Sequence, residues 1–293
     1  MNPERYEHSG KLPLSGVMLM VGVGVLSAAV LGVAYSYLSF YIGFVKLKFF
    51  LALFFGLFVG FPIAWAARYG HIRSRFFPAF IAFASGLVGL YFAWAADFLV
   101  RIGPPRNGNF LSTLDPALLV RYVKYFYEHG LWHMDHGVGA NNANAQAEKG
   151  FILVVYWLAE AATVIGTATA TAWLEMRGAI YCEKCERWLK TRKEIRRLDF
   201  SAHPDAPVEI GSGNLTALHE LPPANGFGTY LALDLTTCDA CPDTSYLTVN
   251  RVATTIDKKN NAKKKVHNLI RGLKLNPEEA RWVRGEQAAS AKQ

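Results

Sequence analysis

Four cysteines are the whole thiol content of this 293-residue chain, and they fall in two CxxC pairs: Cys182/Cys185 in YCEKCERW and Cys238/Cys241 in TCDACPD. Cysteines paired at two-residue spacing, with none left over, are the ligand set of a closed tetrahedral metal site. Four thiolates leave no open coordination position for a substrate, so the chemistry expected is structural, with Zn2+ as the cofactor. Iron held in rubredoxin fashion uses the same four ligands and is the alternative. Thioredoxin-type redox chemistry fits poorly, because neither pair opens a helix within a βαβ pattern.

Two other groups of residues could do chemistry. HGLWHMDHG carries His129, His133, Asp135 and His136, a density of imidazole and carboxylate that can bind a second divalent metal. Gly130 breaks the helix that would align His129 with His133 at i,i+4, so the ligands are not prearranged and exposed loop histidines are the plainer reading. Glu160 stands alone in the apolar run YWLAEAATVIGTATATAW. A carboxylate there must face other helices or take up a proton, since a charge at the bilayer centre costs about 2.5–3.5 kcal/mol. Below it, Thr163, Gly166, Thr167, Ala170 and Thr171 make a small, hydroxylated face suited to close helix packing. Glu160 is thus either a helix-to-helix tie or part of a proton or cation path, with Asp97 near the end of the third span as the nearest other acid. No P-loop, GxSxG, HExxH or dinucleotide fingerprint is present, no catalytic residue is assigned, and the pattern points away from an enzyme.

The elements that must position these residues begin with uncharged stretches. No charge falls between Lys11 and Lys46, between Lys48 and Arg68, or between Arg75 and Asp97, and Phe151 to Trp173 contains only Glu160. Each meets the requirement of about 20 apolar residues for crossing a bilayer. Four transmembrane helices are expected at about 15–42, 49–68, 77–100 and 151–173, with a loop at 102–150 between the last two. Within that loop Asp115-Pro116 caps a helix running to Glu128, whose Tyr122, Tyr125, Phe126 and Tyr127 suit an element on a membrane surface.

An even number of spans leaves both termini on one side. That side holds Arg5, Lys11, Arg68, Arg73, Arg75 and nineteen Lys or Arg from Glu175 onward. The positive-inside rule then makes both termini cytoplasmic, with Lys46 and Lys48 the dissenters. Reduced, metal-available thiols agree with that compartment. The net charge of +8 therefore says little about nucleic acid, which is not an expected partner. The localisation expected is a multi-pass protein of the bacterial inner membrane.

Beyond the last span the pattern changes to β. TYLALDLTT and SYLTVNRVATTID flank the second CxxC, and AIY and RWLKTRKEIRRLDF flank the first, so each pair sits in a strand–turn–strand knuckle. Fifty-two residues separate Cys185 from Cys238, with a short helix expected at Asn214–Leu221. This spacing exceeds the roughly 15–20 of a compact ribbon, and loop closure tolerates it. Lys258, Lys259, Lys263, Lys264 and Lys265 read as a solvated linker able to attract anionic lipid, and Asn276-Pro277-Glu278-Glu279 reads as a helix start.

FYEHGLW, the WLAEA core of the last span and the trailing YCEKCERWL together resemble uncharacterised bacterial multi-pass membrane proteins with a cytoplasmic zinc-ribbon tail. The likeness covers about residues 90–190 and implies the zinc ribbon without implying an activity. The fold expected is membrane all-α over residues 1–174, followed by a small cytoplasmic α+β zinc-ribbon-like domain over 175–293. Two functions compete. One is a membrane-anchored adaptor or scaffold binding a cytoplasmic protein partner or a lipid surface. The other is a small transporter or channel using Glu160, with the metal domain as its regulator. A polar cavity around Glu160 is the feature that would favour the second.

Overall fold

The computed structural model describes residues 4–42, 45–103, 110–130, 149–212, 214–224, 228–241, 244–256 and 262–285. The chain divides into two compact units, Gly10–Gly178 and a second formed by Ala179–Gln293 together with the first nine residues. The boundary thus falls four residues beyond the expected one, and the N-terminal segment belongs with the C-terminal unit.

The first unit contains four helices long and apolar enough to cross a membrane: α1 (Leu14–Tyr41), α2 (Val45–Tyr69), α3 (Phe76–Ile102) and, after a shorter α4 (Pro116–His129), α5 (Phe151–Arg177). Without a hydrophobic force between helices in lipid, association depends on close packing, and small residues allow it. On α1 the buried positions recur every four residues, Gly16, Met20, Gly24, Ala28 and Gly32, and this stripe meets a matching one on α3. A methyl group added at Gly24 would lie 2.6 Å from Ser85 Oγ, and one at Gly32 would lie 3.2 Å from Ala93 N. On α2, Gly56 and Gly60 form a GxxxG pair against Val164, Thr167, Ala168 and Thr171 of α5. Of the small face expected on α5, Thr167 and Thr171 therefore pack inward. A methyl group at Gly166 would meet nothing within 4 Å. Large apolar side chains such as Leu26, Phe54, Phe58, Phe80 and Leu158 point out of the bundle, where lipid would cover them. At one end of the helices Arg68 forms an ion pair with Glu175 (3.0 Å).

Asp115 caps α4 by accepting from Ala117 N at 2.9 Å, and Gly130 ends the helix. Its aromatic face is divided. Leu119 and Tyr122 are buried against Ala95 and Phe98 of α3, with Phe126 packed beside them, whereas Tyr125 and Tyr127 are exposed. The helix is therefore fastened to α3 on one side, and only its other side is free for a membrane surface.

The second unit is built on an antiparallel sheet of order β3 (Lys190–Leu198), β4 (Thr229–Thr237), β5 (Ser245–Ile256), β6 (Ala262–Leu275). A separate hairpin pairs β1 (Tyr181–Cys182) with β2 (Arg187–Trp188). Leu231, Leu233 and Leu235 alternate along β4 and join Leu247, Val249, Ile270 and Leu273 on one sheet face. Three helices cover that face: α6 (Ala206–Ser212), which the sequence did not reveal, α7 (Thr216–Glu220), and α8 (Pro277–Arg284). Asn276 and Glu279 close a reciprocal capping box at the start of α8. The opposite face of β4 is also buried at Tyr230 and Ala232, so burial along this strand does not alternate.

Lys263, Lys264 and Lys265 lie in strand β6, correcting their expected place in a linker, and Lys264 approaches Glu194 at 3.3 Å. Lys258 and Lys259 lie outside the described residues. The N-terminal segment adds to the β6 edge, with Arg5 bridged to Leu273 and Tyr6 N donating to Gly272 O at 2.8 Å. Gly272 permits this approach, since its φ is +62° and a side chain there would meet Tyr6 Cβ at 3.2 Å.

Candidate functional site

Cys182 closes β1 and Cys185 lies in the turn leading to β2, a knuckle stiffened by the edge-on contact of Tyr181 and Trp188 (5.0 Å) and by Leu189 N donating to Ile180 O (2.8 Å). Cys238 and Cys241 occupy the turn between β4 and β5, whose last paired residues are Thr237 and Ser245. The two turns converge, and all four Sγ atoms lie within 4.8 Å of one another. Cys182 Sγ and Cys241 Sγ are 3.6 Å apart. That is far too long for a disulfide and close to the roughly 3.8 Å that sulfurs about 2.3 Å from a tetrahedral zinc would keep. The four free cysteines can hold a metal ion.

The electrostatics are compatible with one. Burial raises the Cys182 thiol, but the backbone N–H of Cys185, with Cys241, Thr244 and the N–H of Lys184, outweighs it and brings the group down to about 7. Cys185, hydrogen-bonded first to Cys241 and then, beyond the effect of burial, to Cys238 and Cys182, is pushed up to about 12. Four crowded sulfurs cannot all ionise by themselves, and a divalent cation supplies the missing charge while displacing the protons. Thr244 Oγ1, 3.2 Å from Cys241 Sγ and 3.8 Å from Cys182 Sγ, is placed to donate to the thiolates. The N-terminal segment braces the first knuckle, with Tyr6 OH accepting from Tyr181 N (3.1 Å) and Ser9 Oγ donating to Glu183 (2.8 Å).

Of the second metal group, His129 sits in the last turn of α4, stacked on Tyr125 with its Nδ1 2.9 Å from Tyr125 O. His133, Asp135 and His136 lie outside the described residues.

Glu160 does not stand alone. Tyr35 of α1 donates to its Oε1. The two line a cavity of about 70 Å3 together with Ser36, Lys48, Asp97, Arg101 and the indoles of Trp94 and Trp157. Arg101 Nε bonds both oxygens of Asp97 (3.0 and 2.9 Å), and Tyr122 OH on α4 donates to Asp97 Oδ2 at 2.7 Å. Burial first, then the Asp97 charge, raises the Tyr122 phenol and keeps it a donor. Sequence reasoning saw Asp97 and missed the others, although the i,i+4 spacing of Asp97 and Arg101 was a usable signal. Lys48 also explains its own dissent from the charge asymmetry: it lines this cavity.

Compared with protein-family models, curated proteins and solved structures, the chain matches none.

Proposed function

We propose that this is a multi-pass membrane protein whose C-terminal unit is a zinc-ribbon-like platform, folded around one Zn2+ on the cytoplasmic side of a bacterial inner membrane. On this reading it acts as an adaptor or scaffold for a cytoplasmic protein partner or a lipid surface. The observation that carries it is the convergence of the two CxxC turns, distant in sequence, into one cluster of four sulfurs. Zinc is favoured over iron by the closed, non-redox role such a site plays in stabilising a small domain. Lys263, Lys264 and Lys265, exposed on β6, together with Lys258 and Lys259, are the residues that would meet anionic headgroups. Full-length protein purified without added metal is expected to carry about one zinc per chain by elemental analysis. Iron at that stoichiometry, or a folded protein with no metal, would replace this reading.

Orientation has its own test. The pairing of the N-terminal segment with β6 supports an even number of spans, and the charge asymmetry supports cytoplasmic termini. An impermeant thiol reagent on intact cells is expected to label Asn142→Cys and to leave Lys259→Cys as unlabelled as the wild type. The opposite pattern reverses the orientation.

A second reading, that the bundle handles a proton, cation or small solute at Glu160 under control of the metal unit, is favoured by the cavity around that residue. The two readings are compatible, because a platform can report on the state of its own bundle.

A further inference from the structure

We infer that the chamber around Glu160 is a water-filled proton-binding site entered from the α4 end of the bundle, with Glu160 as the group that exchanges the proton. This rests on the second reading above and gives it a ligand.

The lining charges narrow the choice of ligand. Lys48 from α2 and Arg101 from α3 face the same space as Glu160 and Asp97, so two cations already balance two carboxylates. With these four charges balanced, neither a metal cation nor an anion is offered a net opposite charge. A proton has no coordination shell to satisfy and can be taken up by one carboxylate while the rest of the set stays in place.

Asp97 is the wrong acceptor, because Arg101 engages both of its oxygens and Tyr122 one of them. Glu160 is held by a phenol, Tyr35, that can donate to the carboxylate or accept from the acid.

Water is indicated independently. Ser36 lines the chamber, is 3 % exposed, and its Oγ has no hydrogen-bond partner among the described residues. An unsatisfied buried hydroxyl is costly, and a chamber of about 70 Å3 exceeds the roughly 10–15 Å3 that a cavity needs to admit a water. Water there delivers the proton to a Glu160 oxygen and takes it back, so no other reactant is needed.

The chamber lies towards one end of the bundle. The lining comes from the last turns of α1 and α3 and the first half of α2 and α5, the end of the bundle where α4 fastens through Tyr122. Further along, Gly56 and Gly60 press α2 onto Thr167, Ala168 and Thr171, and Gly32 presses α1 onto Gly89. The site is thus a loading chamber towards that end, with the close glycine contacts lying beyond it.

Infrared difference spectroscopy on full-length protein in lipid nanodiscs tests this. Between acid and alkaline pH the wild type is expected to show the carbonyl band of one buried protonated carboxyl that shifts promptly in D2O. Loss of that band in Glu160→Gln, and its retention in Glu160→Asp, support the site, the latter serving if Glu160→Gln does not assemble. Ser36→Val, which replaces the hydroxyl with apolar bulk, is expected to slow the D2O shift. A band that persists in Glu160→Gln, that is absent from the wild type, or that disappears when sodium replaces N-methylglucamine at fixed pH, would overturn the proposal. Proton flux in reconstituted vesicles separates it from the reading beneath it: a titrating Glu160 without flux removes transport and leaves the binding site standing.

Discussion

Removing the metal, by chelation or in the double variant Cys182→Ser, Cys238→Ser, is expected to lower the melting temperature of the C-terminal unit sharply without abolishing its sheet. Zinc binding contributes roughly 10–16 kcal/mol in peptides that are unfolded without it. This unit differs from such peptides, because its main core lies on the sheet face covered by α6, α7 and α8 and is built from Leu231, Leu233, Leu235, Leu247 and Val249. With zinc bound, only the knuckles would depend on the ion outright. β1 and β2 are two residues each and share just two paired positions, far too little to hold a hairpin in water. A loss of about 4 kcal/mol, a minor share of the peptide value, corresponds to a fall of about 20 °C for a domain of roughly 100 residues. The N-terminal segment should be freed as well, since Tyr6 and Ser9 hold Tyr181 and Glu183 of the first knuckle. Hydrogen exchange in full-length protein is expected to rise at residues 180–189 and 4–9 and to change little along β4 and β5 away from Cys238. Uniform protection after metal removal would make the thiol cluster ornamental. Complete loss of the sheet would mean that the ion, and not the leucine core, organises the unit.

That expectation differs from a simpler one. From the cysteine spacing alone the tail reads as a ribbon that unfolds without zinc. The leucine core was partly visible in TYLALDLTT, but α6 was not, because APVEIGS has neither the length nor the periodicity of an amphipathic helix. Legibility elsewhere followed the range of the interaction. The spans follow from composition, and the helix starts at Asp115-Pro116 and Asn276-Pro277 follow from capping chemistry that is complete within four residues. The two CxxC pairs were legible as ligands because metal geometry forces distant cysteines together. Nothing of that kind signals that Arg5 pairs with Leu273, or that Lys48, Asp97, Arg101 and Glu160, carried on three separate spans, share one chamber. Lys48 was therefore counted as a weak orientation charge, and Asp97 only as the nearest other acid, near the end of the third span.

The glycines of α2 should prove as decisive for the bundle as the cysteines are for the tail. A Cβ at Gly56 would collide with Thr167 and with the carbonyl of Val164, and one at Gly60 would lie 2.9 Å from Thr171 Cβ while also striking the Ala168 carbonyl. These neighbours are largely backbone or short β-branched side chains of α5, so no rotamer change relieves the overlap and the two helices must separate. Gly56→Leu and Gly60→Leu are each expected to cost at least the roughly 1–3 kcal/mol of ordinary overpacking and to lower the melting temperature in detergent. Two other glycines supply the control, for Gly22→Leu on α1 and Gly166→Leu on α5 add the same bulk where nothing lies within 4 Å of the new Cβ. Those variants should melt like the wild type, and equal melting of all four would show that α2 and α5 do not meet through this pair. The consequence reaches the chamber. Glu160 lies on α5 one turn before Val164 and two before Thr167 and Ala168, the residues that Gly56 and Gly60 touch. The contact that closes the bundle beyond the chamber thus also sets the distance from Glu160 to Lys48 on α2. Even where Gly56→Leu remains assembled, its protonated-carboxyl band should therefore be altered, while Gly166→Leu keeps the wild-type band.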